Sequence, residues 1–302
     1  MDGRELLRLM PPVLRARDFR LYTQEGRLVD LWQDGGRAIL GHKPPQLLRE
    51  LKNSAERGLF AGFPHPQEGR FLKALSRLLP GRRFRFYSGR ASLNRALEAA
   101  GFPCPGPGPG SFPDPAFPAA GETSSGISLW RPFLENLAEP VLRETPVLIP
   151  ALPWPLSPQA AAFRPDWEDR FPPSDIVSPV ILSAAARGIY DLIAAGNRGK
   201  PVYPKINRLL YGQHGQKPCP WYRRGVYLTL ADAALTEAGI NWETLFRRFL
   251  EGGFLIPPGP GEPLILPGIL SPGEEAKLAL LLGESLKGQN PDSSEIADCI
   301  EN

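Results

Sequence analysis

Apolar residues recur at helical spacing over two early stretches of the chain. Leu47, Leu48, Leu51, Ala55 and Leu59 trace one face of a helix that Pro44 and Pro45 would open, and Phe71, Leu72, Leu75, Leu78 and Leu79 trace a second. Alternation of apolar and polar residues in "RLVDLW" (27–32) and "RFRFY" (83–87) predicts short strands. The second strand turns through Ser88-Gly89 into "ASLNRALEAAG", a helix ending at Gly101. Leu129, Trp130, Phe133, Leu134 and Leu137 form a further helical stripe, and "PVLIPAL" reads as a short buried strand. A buried helix is expected from Pro179 to Ala195. After it, "VYPKINRLLYG" reads as helix, "RGVYLTL" as strand, and "NWETLFRRFLEGG" as an amphipathic helix closed by glycine. "FLIPPG" and "PLILPG" are short strands, and Ser271 three residues before Glu274 is the capping signature of a last helix.

Two stretches interrupt this pattern. Residues 102–125 are rich in Pro and Gly and predict an extended connector, and residues 153–175 are again proline-rich and irregular. Strands separated by helices elsewhere imply an α/β protein with a smaller α+β unit at the C-terminal end. The expected organisation is an N-terminal segment 1–45 packing with the small domain, a large α/β domain 46–199, and a small domain 200–287. Residues 288–302, with four acidic residues and no Lys or Arg, are expected to be a disordered tail.

Composition narrows the class. With 42% apolar and 22% charged residues among 302, the chain reads as soluble and globular, and no apolar run approaches the ~20 residues of a membrane span. The acidic start without a long apolar run is not a secretory signal, and sparse cysteines (Cys104, Cys219, Cys299) fit a reducing cytoplasm. His42, His65 and His214 are too scattered for a metal site. A net charge of +3 gives no case for nucleic acid. Arg82, Arg83, Arg85 and Arg90 do crowd Phe84, Phe86 and Tyr87, but alternation puts the Phe residues in a core and the arginines outside.

The stretch "GRLVDLWQDGGRAILGHKPPQLLRELKNSAERG" resembles the N-terminal region of class III aminotransferases, pyridoxal-phosphate (PLP) enzymes of fold type I. Asp30, Trp32, Leu40, Gly41, His42 and Pro45 stand at places matching that family's motif. Ser88-Gly89 falls where the family has its Asn-Ser-Gly-Thr turn, and "SPVILSAAARGIYDLIAA" is similar to its small-residue-rich helix. "RRGVYLTL" and the segment after Phe254 resemble its small domain. The resemblance implies a reduced large domain of the PLP-transferase fold with a small α+β C-terminal domain. It also implies a homodimer and a site for PLP, non-covalent if it binds, or for another small anion; no cofactor is assigned as certain.

A PLP enzyme needs a lysine amine for the covalent link, a carboxylate at the pyridine nitrogen, and a phosphate cradle. No lysine occurs between Lys73 and Lys200, the interval in which the resemblance would place it. The strand "VLIPALPWP" ends in Pro150 and Ala151, neither of which can serve a ring nitrogen, and Asp166, Glu168 and Asp169 follow in what reads as an exposed loop. The aromatic-His-Gly segment that covers the ring is missing, and no arginine lies beyond Arg248 to take a substrate carboxylate.

Ser88, Gly89 and Arg90 are the candidate phosphate cradle. An ordinary strand-to-helix turn, with Ser88 as cap and Arg90 in solvent, accounts for the same residues. No catalytic residue is assigned. The expectation is an aminotransferase-like protein that has lost transamination and is retained for ligand binding or assembly. The alternatives are an active PLP enzyme taking its lysine from an unexpected position or a partner subunit, and new small-molecule chemistry in the old cleft.

Overall fold

Pro45, Pro179 and Pro204 each stand in the first turn of a helix, where the missing N–H costs nothing. A computed structural model describes residues 3–103, 112–117, 126–134, 143–198, 201–212 and 219–284. The chain begins with α1 (Gly3–Leu6), β1 (Val13–Arg17), β2 (Arg20–Thr23), β3 (Arg27–Asp30), α2 (Pro45–Ala55) and α3 (Gln67–Leu78). Then come β4 (Arg83–Tyr87), α4 (Arg90–Ala99), β5 (Ile127–Trp130), β6 (Val147–Pro150), β7 (Gln159–Phe163) and α5 (Pro179–Gly196). The last part holds α6 (Pro204–Tyr211), β8 (Trp221–Arg224), β9 (Tyr227–Leu230) and α7 (Asp232–Glu237). It closes with α8 (Trp242–Glu251), β10 (Phe254–Leu255), β11 (Leu264–Ile265) and α9 (Pro272–Glu284).

The central sheet has the order β4-β7-β6-β5. β5 and β6 run parallel, and β7 is antiparallel to both β6 and β4. Alternate residues feed two cores. Phe84, Phe86, Leu148, Ala160 and Ala162 pack with α3 and α5, while Tyr87, Ile127, Val147, Ile149, Ala161 and Phe163 pack with α4. The result is helix on both faces of one sheet. α5 is apolar along its 18 residues, with a mean hydropathy of 1.2 that satisfies membrane-span criteria by composition. Its Ala184, Ala185, Ala186 and Ile189 are buried, and it lies against α2 and α3 as a core helix on the central sheet.

A third core joins the two ends of the chain. β3 pairs in parallel with β10, Val29 opposite Phe254, in a sheet of order β1-β2-β3-β10. A second small sheet, β11-β9-β8, shares that core through Tyr227, Leu228, Leu264 and Ile265. The α9 capping box forms in both directions: the Ser271 amide donates to Glu274 Oε2 at 2.9 Å and the Glu274 amide to Ser271 Oγ at 3.2 Å. Arg20 on β2 donates to both oxygens of Glu274, at 2.9 and 2.6 Å, and Arg27 on β3 reaches the same carboxylate at 3.1 Å. The last helix is thereby tied to the N-terminal sheet by a bidentate pair.

Three sequence expectations need correction. The stripe from Leu129 to Leu134 is not helical: residues 127–130 form β5, Pro132 stops any helix, and pairing with β6 decides the conformation (Leu137 lies outside the described residues). The irregular stretch 153–175 contains the central strand β7 and a 3₁₀ turn over Pro165–Arg170. Within the connector 102–125, residues 112–117 are a packed turn with Phe112, Asp114 and Ala116 buried, while 104–111 and 118–125 lie outside the described residues. The tail 288–302 also lies outside them.

Candidate functional site

In an open α/β sheet, ligands bind beyond the carboxyl ends of the parallel strands. Here those ends are β5, leading into Arg131, and β6, ending at Pro150. Neither residue offers a carboxylate to a PLP ring nitrogen: Pro150 has no acidic side chain, and Arg131 is a cation. Arg131 is only 5% exposed, and Asp114 from the packed turn 6%. The guanidinium donates Nε to both oxygens of Asp114, at 2.9 and 2.8 Å, and Nη2 to Oδ2 at 2.6 Å. Its Nη1 donates to the Gly35 carbonyl at 2.9 Å, and the group lies 5.3 Å from the Tyr227 ring centre. Burial works against the charge, but the Asp114 carboxylate overrides it and holds Arg131 above the ordinary arginine value.

The chain opposite Arg131 adopts an unusual backbone. Gln33, Asp34, Gly35 and Gly36 have φ of +51°, +50°, +66° and +99°. Side chains disfavour this region, and at Gly36 a Cβ would stand 3.3 Å from Arg131 Nη1, so glycine is required there. Asp30 supports the run. It is 2% exposed, and its Oδ1 accepts the amides of Trp32 at 2.9 Å and Gln33 at 2.8 Å. The Trp32 indole donates to Glu262 Oε2 at 2.5 Å. Burial raises the Glu262 pKa, the Trp32 bond and the Arg131 charge only partly offsetting it.

The other motif residues shape the same region. Gly41, at φ +85°, has room for no side chain: a Cβ would meet the Asp18 backbone at 3.0 Å. The His42 amide donates to the Asp18 carbonyl at 2.7 Å, and His42 Nε2 meets Asp30 Oδ2 at 2.8 Å. Leu40 and His42 line a cavity, and Pro45 opens α2.

The structure places Ser88, Gly89 and Arg90 at the start of α4, with an anion of the protein's own against Ser88. Asp175 Oδ2 accepts the Ser88 amide at 2.8 Å, Ser88 Oγ at 2.7 Å and Ser92 Oγ at 2.8 Å. Partial burial pushes the Asp175 carboxyl up, but the Ser88 and Ser92 bonds and the Arg95 charge outweigh it, and the pKa falls below the ordinary aspartate value. Arg90 stacks over Phe112 at 3.9 Å from the ring centre. Gly89 has extended backbone and open space where a Cβ would go, so no close approach requires a glycine.

Judged residue by residue, the described chain does not fit PLP. Its turn already carries a carboxylate where a phosphate would sit. Its strand ends carry Arg131 and Pro150, and every described lysine (Lys43, Lys52, Lys73, Lys205, Lys277) is solvent-exposed. Lys200, Lys217 and Lys287 lie outside the described residues. Sequence reasoning missed Asp114, Arg131 and Asp175 because all three sit in or beside proline-rich stretches without periodicity. An acidic residue within "FPDPAF" was the one available signal.

Comparison with known proteins defines the class at the level of fold. The chain superposes on a Plasmodium falciparum ornithine delta-aminotransferase with a TM-score of 0.63, 13% identity, and coverage of 95% of this chain and 98% of that one. Acetylornithine aminotransferase from Elizabethkingia anophelis gives 0.61 with 12% identity, covering 95% and 99%. The chain therefore has the fold of the PLP-dependent aminotransferases, in accord with the resemblance to class III members read from its motifs. In sequence, it is 29% identical over 211 residues to an uncharacterized protein of Treponema pallidum, a match spanning 70% of this chain and 62% of that protein. A glutamate-1-semialdehyde 2,1-aminomutase from Pyrobaculum arsenaticum is 40% identical over 60 residues, 20% of this chain and 14% of the enzyme. No family model matches the sequence.

Proposed function

We propose that this is an aminotransferase-fold protein without transaminase activity, retained for ligand binding or assembly. The observation that carries the reading is the Arg131–Asp114 pair, a cation buried directly after the carboxyl end of β5. A ring nitrogen set against that guanidinium would be repelled rather than held protonated, and the electron sink that PLP chemistry depends on would be lost. The Asp175 carboxylate on the Ser88 turn and the interval without lysine support the same conclusion.

The proposal includes a homodimer. Phe60, Phe63 and Ile176 stand 66%, 52% and 67% exposed on adjoining loops. A Cβ added at Gly62 would stand 3.2 Å from the Ile176 carbonyl, so the chain runs close beside Ile176 there, and these exposed apolar groups are the surface we propose a second copy covers. Light scattering should report the mass of two chains.

The catalytic part is tested by incubating the purified protein with PLP, a panel of amino donors and 2-oxo-acid acceptors. Product at the rate of free PLP is expected. Enzyme-dependent turnover would refute the proposal and favour a lysine recruited from elsewhere.

A further inference from the structure

Arg37 and His42, whose ring is paired with Asp30 behind it, line a cavity between the Arg37–Pro44 stretch and the Pro153–Leu156 loop, with a volume of about 220 Å³. Trp154, Pro155 and Leu156 give it apolar walls, and Arg37 and His42 are its charged or titratable groups. Arg37 Nη2 donates to the Ser157 carbonyl at 2.7 Å, which fixes the guanidinium. Among the described residues, no carboxylate lies within ion-pair distance of Arg37. A guanidinium has five N–H donors and stays charged. Burial works against that charge and lowers the Arg37 pKa, with only the more distant Asp34 opposing. A half-buried cation without a counter-ion is the kind of group an anionic ligand stabilises.

His42 supplies a second, oriented polar group. Its Nε2 faces Asp30 Oδ2 at 2.8 Å, and the other oxygen of Asp30 already accepts two backbone amides. A carboxylate used this way only accepts, so Nε2 carries the proton and Nδ1 is left as the ring's remaining polar atom. Among the described residues, Nδ1 has no partner. The cavity's size limits the ligand: at ~30 Å³ per water it holds about seven waters, or an organic molecule of about that many heavy atoms.

We propose that this cavity binds a small monocarboxylate with a short apolar body, its carboxylate on Arg37, its polar substituent on His42 and its hydrocarbon against Trp154 and Leu156. The inference does not depend on the loss of transamination, which rests on the Arg131 crevice. Failure of one leaves the other standing.

Isothermal titration of the full-length protein with isovalerate, lactate and inorganic phosphate tests it. Saturable binding of a carboxylate with a Kd of about 1 mM or tighter is expected. Arg37→Met should weaken it at least about tenfold. Because that variant also loses the Ser157 bond, Leu156→Glu provides a second test. Leu156 is 64% exposed, so its replacement leaves the fold intact while placing a repelling charge at the cavity mouth. Weakened carboxylate binding in a folded Leu156→Glu protein supports the site. No saturable heat with either carboxylate, unchanged binding in both variants, or phosphate binding as tightly as isovalerate would each overturn it.

Discussion

Replacing Asp114 with alanine removes the only carboxylate bonded to Arg131 among the described residues and leaves a guanidinium stranded inside the protein. Both side chains are 4% exposed, and three donor contacts join them at 2.6 to 2.9 Å. Breaking a buried pair from one side costs about 3–5 kcal/mol, because the remaining charge is neither solvated nor paired. Against a total stability of about 5–15 kcal/mol, that is a large fraction, and it corresponds to a drop of roughly 10 °C in melting temperature. The paired replacement Asp114→Leu with Arg131→Met should recover most of the loss, since hydrophobic substitution of a whole buried pair is near neutral. Recovery stops short of complete because Asp114 Oδ1 also accepts the Ala116 amide at 3.0 Å, a bond worth about 1 kcal/mol. Urea denaturation of the wild type, Asp114→Leu, Arg131→Met and the double variant closes the cycle, with Asp114→Ala measured beside it. A loss below about 1 kcal/mol in Asp114→Ala, or strictly additive single effects, would refute the account of this pair.

Three further outcomes follow from the geometry. Glu274 is partly buried, which pushes its carboxyl up, but the Arg20 and Ser271 bonds prevail and hold it at about 2, down from the ordinary 4.5. Its contribution is therefore complete above pH 4.5 and is lost as pH falls toward 2. Urea melts between pH 6 and pH 2.5 should show a loss of up to about 3 kcal/mol, reduced by solvent screening. Glu274→Gln should flatten that part of the profile, and an unchanged profile would contradict the assignment. Gly188→Ala on α5 would place a Cβ 2.9 Å from the Pro153 carbonyl and 3.2 Å from Leu47. Helix propensity favours alanine, yet thermal melts should show a net loss of about 1–3 kcal/mol from overpacking; stabilisation would mean the contact relaxes freely. Asp175→Ala strips the carboxylate from three donors and should cost about 1–3 kcal/mol by chemical denaturation. An unaffected melt would show that those bonds are replaced by water without loss.

Elements whose burial follows a simple period were legible in the sequence. Phe84 and Phe86 alternate with Arg83 and Arg85 because one face of β4 meets α3 and α5, while both arginines turn outward to Glu168. Ser271 and Glu274 announce α9 because capping is local chemistry, complete within four residues. β7 was illegible for the opposite reason. "QAAAF" has no β-branched residue, and its alanines sit in a central strand because α5 packs closely on the sheet. The stripe at Leu129 imitated a helix because five large residues happened to fall at helical spacing, whereas a parallel partner twenty residues downstream decides the conformation of 127–130. The candidate site was read in halves. The motif from Asp30 to Pro45 marked one wall, but Asp114, Arg131, Asp175 and Trp154 come from stretches whose proline content hides any pattern. No local signal joins Arg37 to Ser157 across 120 positions.

We propose above that the cleft of this aminotransferase fold no longer supports PLP chemistry. The most direct measurement is titration of the purified full-length protein with PLP, followed by borohydride reduction and peptide mass mapping. The account predicts no visible-band shift beyond that of free PLP and only scattered, substoichiometric labelling of exposed lysines. A stoichiometric adduct on one lysine would contradict it and identify the nucleophile.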